Sequence, residues 1–177
     1  MQAWIGVRSD ELTALAKQQP SVPRHLNPEV PGMLQNPELL TTSVLFIDGN
    51  DTDRTFYADE LKACSPDYQV VEATDGQSGL DLYRSQRIDC VVTELALSDK
   101  SGFEILADFV PVSSKPQVAV IVLTRIEHPR VGELAKQNGA YACFVKAHTS
   151  GEDLDSAIQN AIALVRLMPK EDRYRAI

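Results

Sequence analysis

Asp89-Cys90-Val91-Val92-Thr93-Glu94-Leu95, followed shortly by Ser101-Gly102-Phe103-Glu104-Ile105-Leu106, is the stretch on which the fold of this chain turns. Its first part is a short β-branched run with no polar alternation, which suits a strand buried on both faces. Its second part starts a helical stripe, because Phe103, Leu106 and Phe109 or Val110 fall on one face at helical spacing. A carboxylate, Glu94, is therefore delivered at the end of a buried strand, in the loop that leads into a helix.

The same alternation repeats on either side. Strands are expected at Val44–Ile47, Gln69–Glu72, Cys90–Val92, Val118–Leu123 and Ala142–Val145. Between them lie helical stripes: Tyr57, Leu61 and Cys64; Leu80 and Tyr83; the Phe103 stripe; Val131, Leu134 and Ala135; and Leu154, Ile158, Ile162 and Val165. Pro66, Pro111 and Pro116 fall between elements, and Gly139 follows Asn138 where a helix should end. Five strands alternating with five helices predict an α/β fold: a flavodoxin-like, doubly wound, five-stranded parallel sheet, (βα)5, with its site at the carboxyl ends of the strands.

Residues 1–42 differ in texture, since Pro20, Pro23, Pro28, Pro31 and Pro37 make up five of the ten prolines of the 177-residue chain. Proline at this density forbids a continuous helix or strand. A short helix capped by Ser9 or Asp10 and carrying Leu12, Leu15 and Ala16 is expected before a semi-rigid linker. It would be a docking element or the end of an upstream domain, and Trp4, Leu12 and Leu15 are its apolar anchors. The expected organisation is thus 1–42 as extension, 43–167 as one domain and 168–177 as a tail.

Composition narrows the function classes. The net charge of −8 disfavours sequence-independent binding to nucleic acid, and Lys170 to Arg175 is interrupted by Glu171 and Asp172. No apolar run is long enough to cross a bilayer, and the N-terminus lacks a secretory pattern, so a soluble cytoplasmic protein without membrane contact is expected. Cys64, Cys90 and Cys143 are odd in number and widely spaced, and are expected as buried free thiols. His25, His128 and His148 lack metal-ligand spacing, and His128 before Pro129 is expected to open a helix.

Polar residues gather at the strand ends: Asp48-Gly49-Asn50-Asp51-Thr52-Asp53-Arg54 after strand one, Glu94 after strand three, Thr124 after strand four and Lys146 after strand five. With Ala73-Thr74-Asp75-Gly76 and Gly79-Leu80, this order resembles the receiver domain of bacterial response regulators over about Thr42 to Val165. The resemblance implies two acids after strand one that hold Mg²⁺, an acceptor aspartate after strand three, then a Thr or Ser and a Lys. Asp48, Thr124 and Lys146 match; Gly49 stands where the second acid would be, and Glu94 where the acceptor aspartate would be. Asp51 or Asp53 would have to replace the missing ligand, with Mg²⁺ held weakly at best by Asp48 and Asp51, or not at all. Acids at that place also simply complement a helix dipole. At the position three before the lysine, where the resemblance implies an aromatic switch residue, stands Cys143, and Ala147 replaces the usual proline after it.

The resemblance implies an atypical receiver, a non-enzymatic, phosphorylation-independent module that binds a protein partner such as a histidine kinase, an output domain or another regulator. Mg²⁺ prefers few carboxylates at strict geometry, and a misplacement of ~1 Å can cost about 10²-fold in rate. Glu94 would then either mimic a phosphorylated acceptor, engaged by Lys146 and Thr124, or form an inert ion pair with Lys146. The partner surface, which would also serve a homodimer, is implied at helix four, strand five and helix five, with Arg130, Glu133, Lys136, Gln137 and His148 as contacts. The alternative is a weakly Mg²⁺-dependent phosphoacceptor of a phosphorelay. A more remote one is a haloacid-dehalogenase-like phosphatase, since Val44 to Thr52 is similar to that family's first motif; but Asn50 replaces its second acid and the later paired acids are missing. The acidic loop after strand one also lacks the amides and hydroxyls that would cradle a flavin phosphate.

Overall fold

Apolar runs without polar alternation became five strands in the computed structural model, which describes residues 41–113 and 116–167. In chain order the elements are β1 (Thr42–Ile47), α1 (Asp51–Cys64), β2 (Tyr68–Ala73), α2 (Gly76–Ser85), β3 (Cys90–Thr93) and α3 (Gly102–Phe109). They continue with β4 (Ala119–Thr124), α4 (Pro129–Gln137), β5 (Ala142–Val145), a single 3₁₀ turn (Lys146–His148) and α5 (Gly151–Leu167). The expected N-terminal helix, the Pro-rich linker and the tail from 168 onward lie outside the described residues.

All strand pairs are parallel and the order is β2-β1-β3-β4-β5. This is the expected flavodoxin-like arrangement, and the order reverses beside β1, where loops from β1 and β3 diverge and leave a crevice at the strands' carboxyl ends. Alternation along each strand splits the core into two layers. Leu45, Ile47, Val91, Val120 and Val122 face α2, α3 and α4 through Leu80, Ile105, Leu106, Phe109 and Ala135. Val44, Phe46, Cys90, Val92, Ile121 and Leu123 face α1 and α5 through Tyr57, Leu61, Leu154, Ile158 and Ile162.

Helix ends follow the sequence. Asn50 caps α1 by accepting the Asp53 amide, and Asp75 caps α2 by accepting the Ser78 amide. Ser101 and Glu104 form a reciprocal capping box on α3. His128 does open α4, its ring accepting the Arg130 amide, and Gly139 takes a φ of 97° just after that helix.

Two expected faces are corrected. Cys64 is exposed, because it is the last residue of α1 and projects past the layer that covers Tyr57 and Leu61; only Cys90 is a fully buried thiol. Leu134 is 45% exposed, whereas its neighbour Ala135 is buried. The inward stripe of α4 is Val131 and Ala135, one full turn apart, and Leu134 lies off it.

Candidate functional site

Four of the five strand ends, those of β1, β3, β4 and β5, each contribute a polar side chain to the crevice. Asp48 follows β1 and is only 2% exposed. Its amide donates to the Ala73 carbonyl, and its Oδ1 accepts the Asn50 amide at 2.8 Å, which fixes the turn into α1. Arg54, one helical turn into α1, donates from Nη1 to the Asp48 carbonyl at 2.8 Å and pairs with Glu72 and Asp51.

That arrangement decides between the two acids expected as substitutes. Asp51 turns outward, its side chain 83% exposed and paired with Arg54 at 2.6 Å. Asp53 turns inward to the crevice, because residues two apart on a helix point to different sides. The metal pair expected, weak at best, is Asp48 with Asp51; in the structure Asp53 shares Lys146 with Asp48, and Asp51 points away and pairs with Arg54.

Glu94 is held from both ends. Its amide donates to the Ile47 carbonyl at 2.9 Å, which ties the end of β3 to β1. Its Oε1 accepts the amides of Leu95 at 2.6 Å and Ala96 at 3.2 Å, so the side chain curls over its own loop. Its Oε2 accepts the Arg125 amide at 3.2 Å and lies 2.9 Å from the Lys146 ammonium. Thr124, fully buried at the end of β4, adds a side-chain hydrogen bond and accepts the Ile126 amide on its hydroxyl.

Lys146 reaches the centre of this group. Its ammonium lies 2.5 Å from Asp48 Oδ2, 2.8 Å from Asp53 Oδ2 and 2.9 Å from Glu94 Oε2, with the side chain 7% exposed. The turn that carries it is held by the Tyr57 hydroxyl, shared between the Lys146 carbonyl at 2.9 Å and the Thr149 carbonyl at 3.1 Å. Arg125 closes the outer side with a two-pronged bond to Asp53, 2.7 Å from Nε and 2.6 Å from Nη2.

Charge states follow from these contacts. Burial alone would raise the Glu94 carboxyl, but the bonds from Thr124 and Lys146 outweigh it and hold the group below its ordinary value. The Arg125 bonds, opposed by burial and helped by Lys146, lower Asp53. Burial would lower Lys146, yet its three carboxylate partners raise it. Glu94 and Asp53 are thus held as carboxylates opposite the Lys146 and Arg125 cations.

Cys143 is partly buried against the α2–α4 layer, and burial pushes its thiol up. Arg130, Glu133, Lys136, Gln137 and His148 are all exposed, with His148 Nε2 3.8 Å from Glu127. The structure brings the expected Asp48, Glu94, Thr124 and Lys146 together; sequence reasoning missed Arg125, whose signal was a lone basic residue directly after the strand-four threonine.

A family model described as the response regulator receiver domain matches residues 44–159. The chain belongs to that family. Among curated receiver-containing relatives, it is 31% identical over 117 residues to the transcriptional regulatory protein AfsQ1 of Streptomyces coelicolor, covering 66% of this chain and 49% of that protein. To the transcriptional regulatory protein GlrR of Escherichia coli K12 it is 28% identical over 102 residues, covering 58% of this chain and 22% of that one. The chain therefore spans about half or less of these relatives. A solved receiver domain protein from Clostridium thermocellum is 28% identical with a TM-score of 0.59, covering 71% of this chain and 98% of that one. A CheY-like receiver from Methanospirillum hungatei has the same fold at 18% identity and a TM-score of 0.62, covering 71% and 97%.

Proposed function

We propose that this receiver is an atypical one that acts as a protein-interaction module in two-component signalling without being phosphorylated, with Glu94 standing where a phosphorylated acceptor would act. One observation carries the reading: the Glu94 carboxylate already engages the Leu95, Ala96 and Arg125 amides, Thr124 and Lys146. These backbone amides, hydroxyl and ammonium converge on one anion, the arrangement that suits a phosphoryl group at the end of β3. A glutamate, one methylene longer than aspartate, carries its charge further into them. Phosphorylation of Glu94 would have to break several charge-assisted bonds at once.

The output of such a module is the shape of its surface. The face formed by α4, β5 and the start of α5 presents Arg130, Glu133, Lys136, Gln137 and His148 to a kinase, an output domain or a second copy of the chain. The names of AfsQ1 and GlrR as transcriptional regulatory proteins support an output domain as partner. The soluble, cytoplasmic setting of two-component signalling is consistent with the finding that, among the described residues, no helix is long and apolar enough to cross a membrane.

The test is an NMR titration of the folded chain with beryllofluoride in the presence of Mg²⁺, with a small acyl phosphate as a parallel donor. Unchanged amides at Asp48, Glu94, Thr124 and Lys146, with no phosphorylated mass, are expected. Saturable shifts reaching Cys143, or a stable phosphorylated species, would overturn the reading.

A further inference from the structure

The receiver family implies a divalent cation beside Asp48, and the donor set around Asp48 allows a test of whether such an ion fits. Mg²⁺ needs carboxylate oxygens free to bind it at about 2.0–2.1 Å in an octahedral shell. Six carboxylate oxygens belong to the three acids of the crevice, and each already has a donor. Asp48 Oδ1 accepts the Asn50 amide, Asp53 Oδ1 accepts Arg125 Nη2, and Glu94 Oε1 accepts the Leu95 and Ala96 amides. Asp48 Oδ2, Asp53 Oδ2 and Glu94 Oε2 converge on Lys146, and an ammonium has three N–H donors for three acceptors.

Neither partner side is left short. Among the described residues no buried side-chain nitrogen or oxygen lacks a hydrogen-bond partner, and no group of three or more His, Cys, Asp or Glu side chains is arranged to hold an ion. Admitting a divalent ion would require expelling Lys146 from a position in which its side chain is almost fully shielded, leaving an ammonium to find new partners. The residues present therefore do not fit the family's metal.

We propose that Lys146 and Arg125 are the resident cations of this site: together they neutralise and orient Asp48, Asp53 and Glu94, and the receiver keeps its working geometry without a divalent ion. Lys146 binds all three acids from within, and Arg125 closes Asp53 from the solvent side. The inference rests on the phosphorylation-independent reading of the same site and adds what replaces the cation. Arg125 is a positioning residue in this scheme, since it fixes Asp53 and, through its own amide, one oxygen of Glu94.

The experiment is a titration of the full chain with Mn²⁺, read as paramagnetic broadening of the Gly49, Asp53 and Leu95 amides and reversed by excess Mg²⁺. The wild type is expected to show no site-specific broadening at millimolar Mn²⁺. Lys146→Met, which unpairs three carboxylates, is expected to gain reversible broadening at those amides. Because that variant removes a buried charge, Arg125→Ala, altered only at an exposed side chain, is measured beside it and is expected to gain broadening at Asp53. Reversible broadening in the wild type overturns the proposal, as does its absence from both variants when folded. Wild-type Mn²⁺ binding without any beryllofluoride response would sink the cation replacement and leave the proposed function standing; a phosphorylated species formed without metal would sink the proposed function instead.

Discussion

The Lys146 ammonium lies 2.9 Å from Glu94 Oε2 and also bonds Asp48 and Asp53, so the last strand of the sheet is joined to the first and third through one side chain. Removing it leaves three shielded carboxylates facing one another. Breaking a buried pair from one side typically costs about 3–5 kcal/mol. Lys146→Met should therefore be destabilised by about 3 kcal/mol or more on that scale, whereas Glu94→Gln, which keeps the shape and leaves Lys146 two acids, should lose about 1–3 kcal/mol. Urea denaturation followed by circular dichroism compares the two, and equal losses would show that the lysine is not the hub.

The pH dependence has a definite sign on each side. Glu94 and Asp53 are held below their ordinary values when folded, so their contribution is present above the ordinary carboxylate range of about pH 4 and is lost as pH falls through the lowered values. Lys146 is raised when folded, so its contribution is present below about pH 10.4 and is lost as pH rises through the raised value. A broad plateau between about pH 5 and pH 10 is expected, with acid loss in the wild type steeper than in Glu94→Gln. Urea midpoints across pH measure it, and identical acid limbs would remove Glu94 from the cluster.

How much of this was legible beforehand follows from the kind of signal each residue leaves. The unalternating runs around Val44, Val91 and Ile121 announced buried parallel strands, and strand ends alone placed Asp48, Glu94, Thr124 and Lys146 in one crevice. Asp53 was weighed but set beside Asp51, because both are acids in a first helical turn; only the rotation of α1, set by the Asn50 cap and Arg54, separates them. Arg125 left no periodic signal at all. Its role depends on a long side chain crossing 72 positions of sequence to reach Asp53. Leu134 and Cys64 misled for a similar reason, since helical spacing does not reveal which edge of a stripe the neighbouring layer covers.

Replacing Gly49 and Glu94 with the aspartates that the sequence resemblance implies makes a third prediction. Glu94→Asp alone should remain unresponsive to beryllofluoride and Mg²⁺, because Gly49 still supplies no carboxylate. Adding Gly49→Asp gives four acids against Lys146 and Arg125, and the surplus charge should draw a divalent ion. A Cβ at position 49 would lie 3.3 Å from the Thr74 carbonyl oxygen, so the turn after β2 must yield by a few tenths of an ångström. Beryllofluoride-dependent shifts in the double variant but not in Glu94→Asp are expected; a response in the single variant would mean that Gly49 is not what limits the site.

The loop that holds Glu94 is itself set by a close approach. A Cβ on Gly102 would meet Leu95 Cα at 2.4 Å and the Glu94 carbonyl oxygen at 2.9 Å, both backbone atoms that no rotamer change can move. The Gly102 amide meanwhile donates to the Leu95 carbonyl at 2.8 Å, which locks the start of α3 onto the segment whose amides bind Glu94 Oε1. Gly102→Ala must push the two apart, at a cost of about 1–3 kcal/mol for an overfilled site. The loss should be local as well as global: the Leu95 and Ala96 amides should exchange with solvent faster than in the wild type, while those of β4 keep their relative protection. Hydrogen exchange read by NMR distinguishes this from a general loss of stability, which would speed exchange in β4 as much as in the loop and would deny Gly102 its part in holding Glu94.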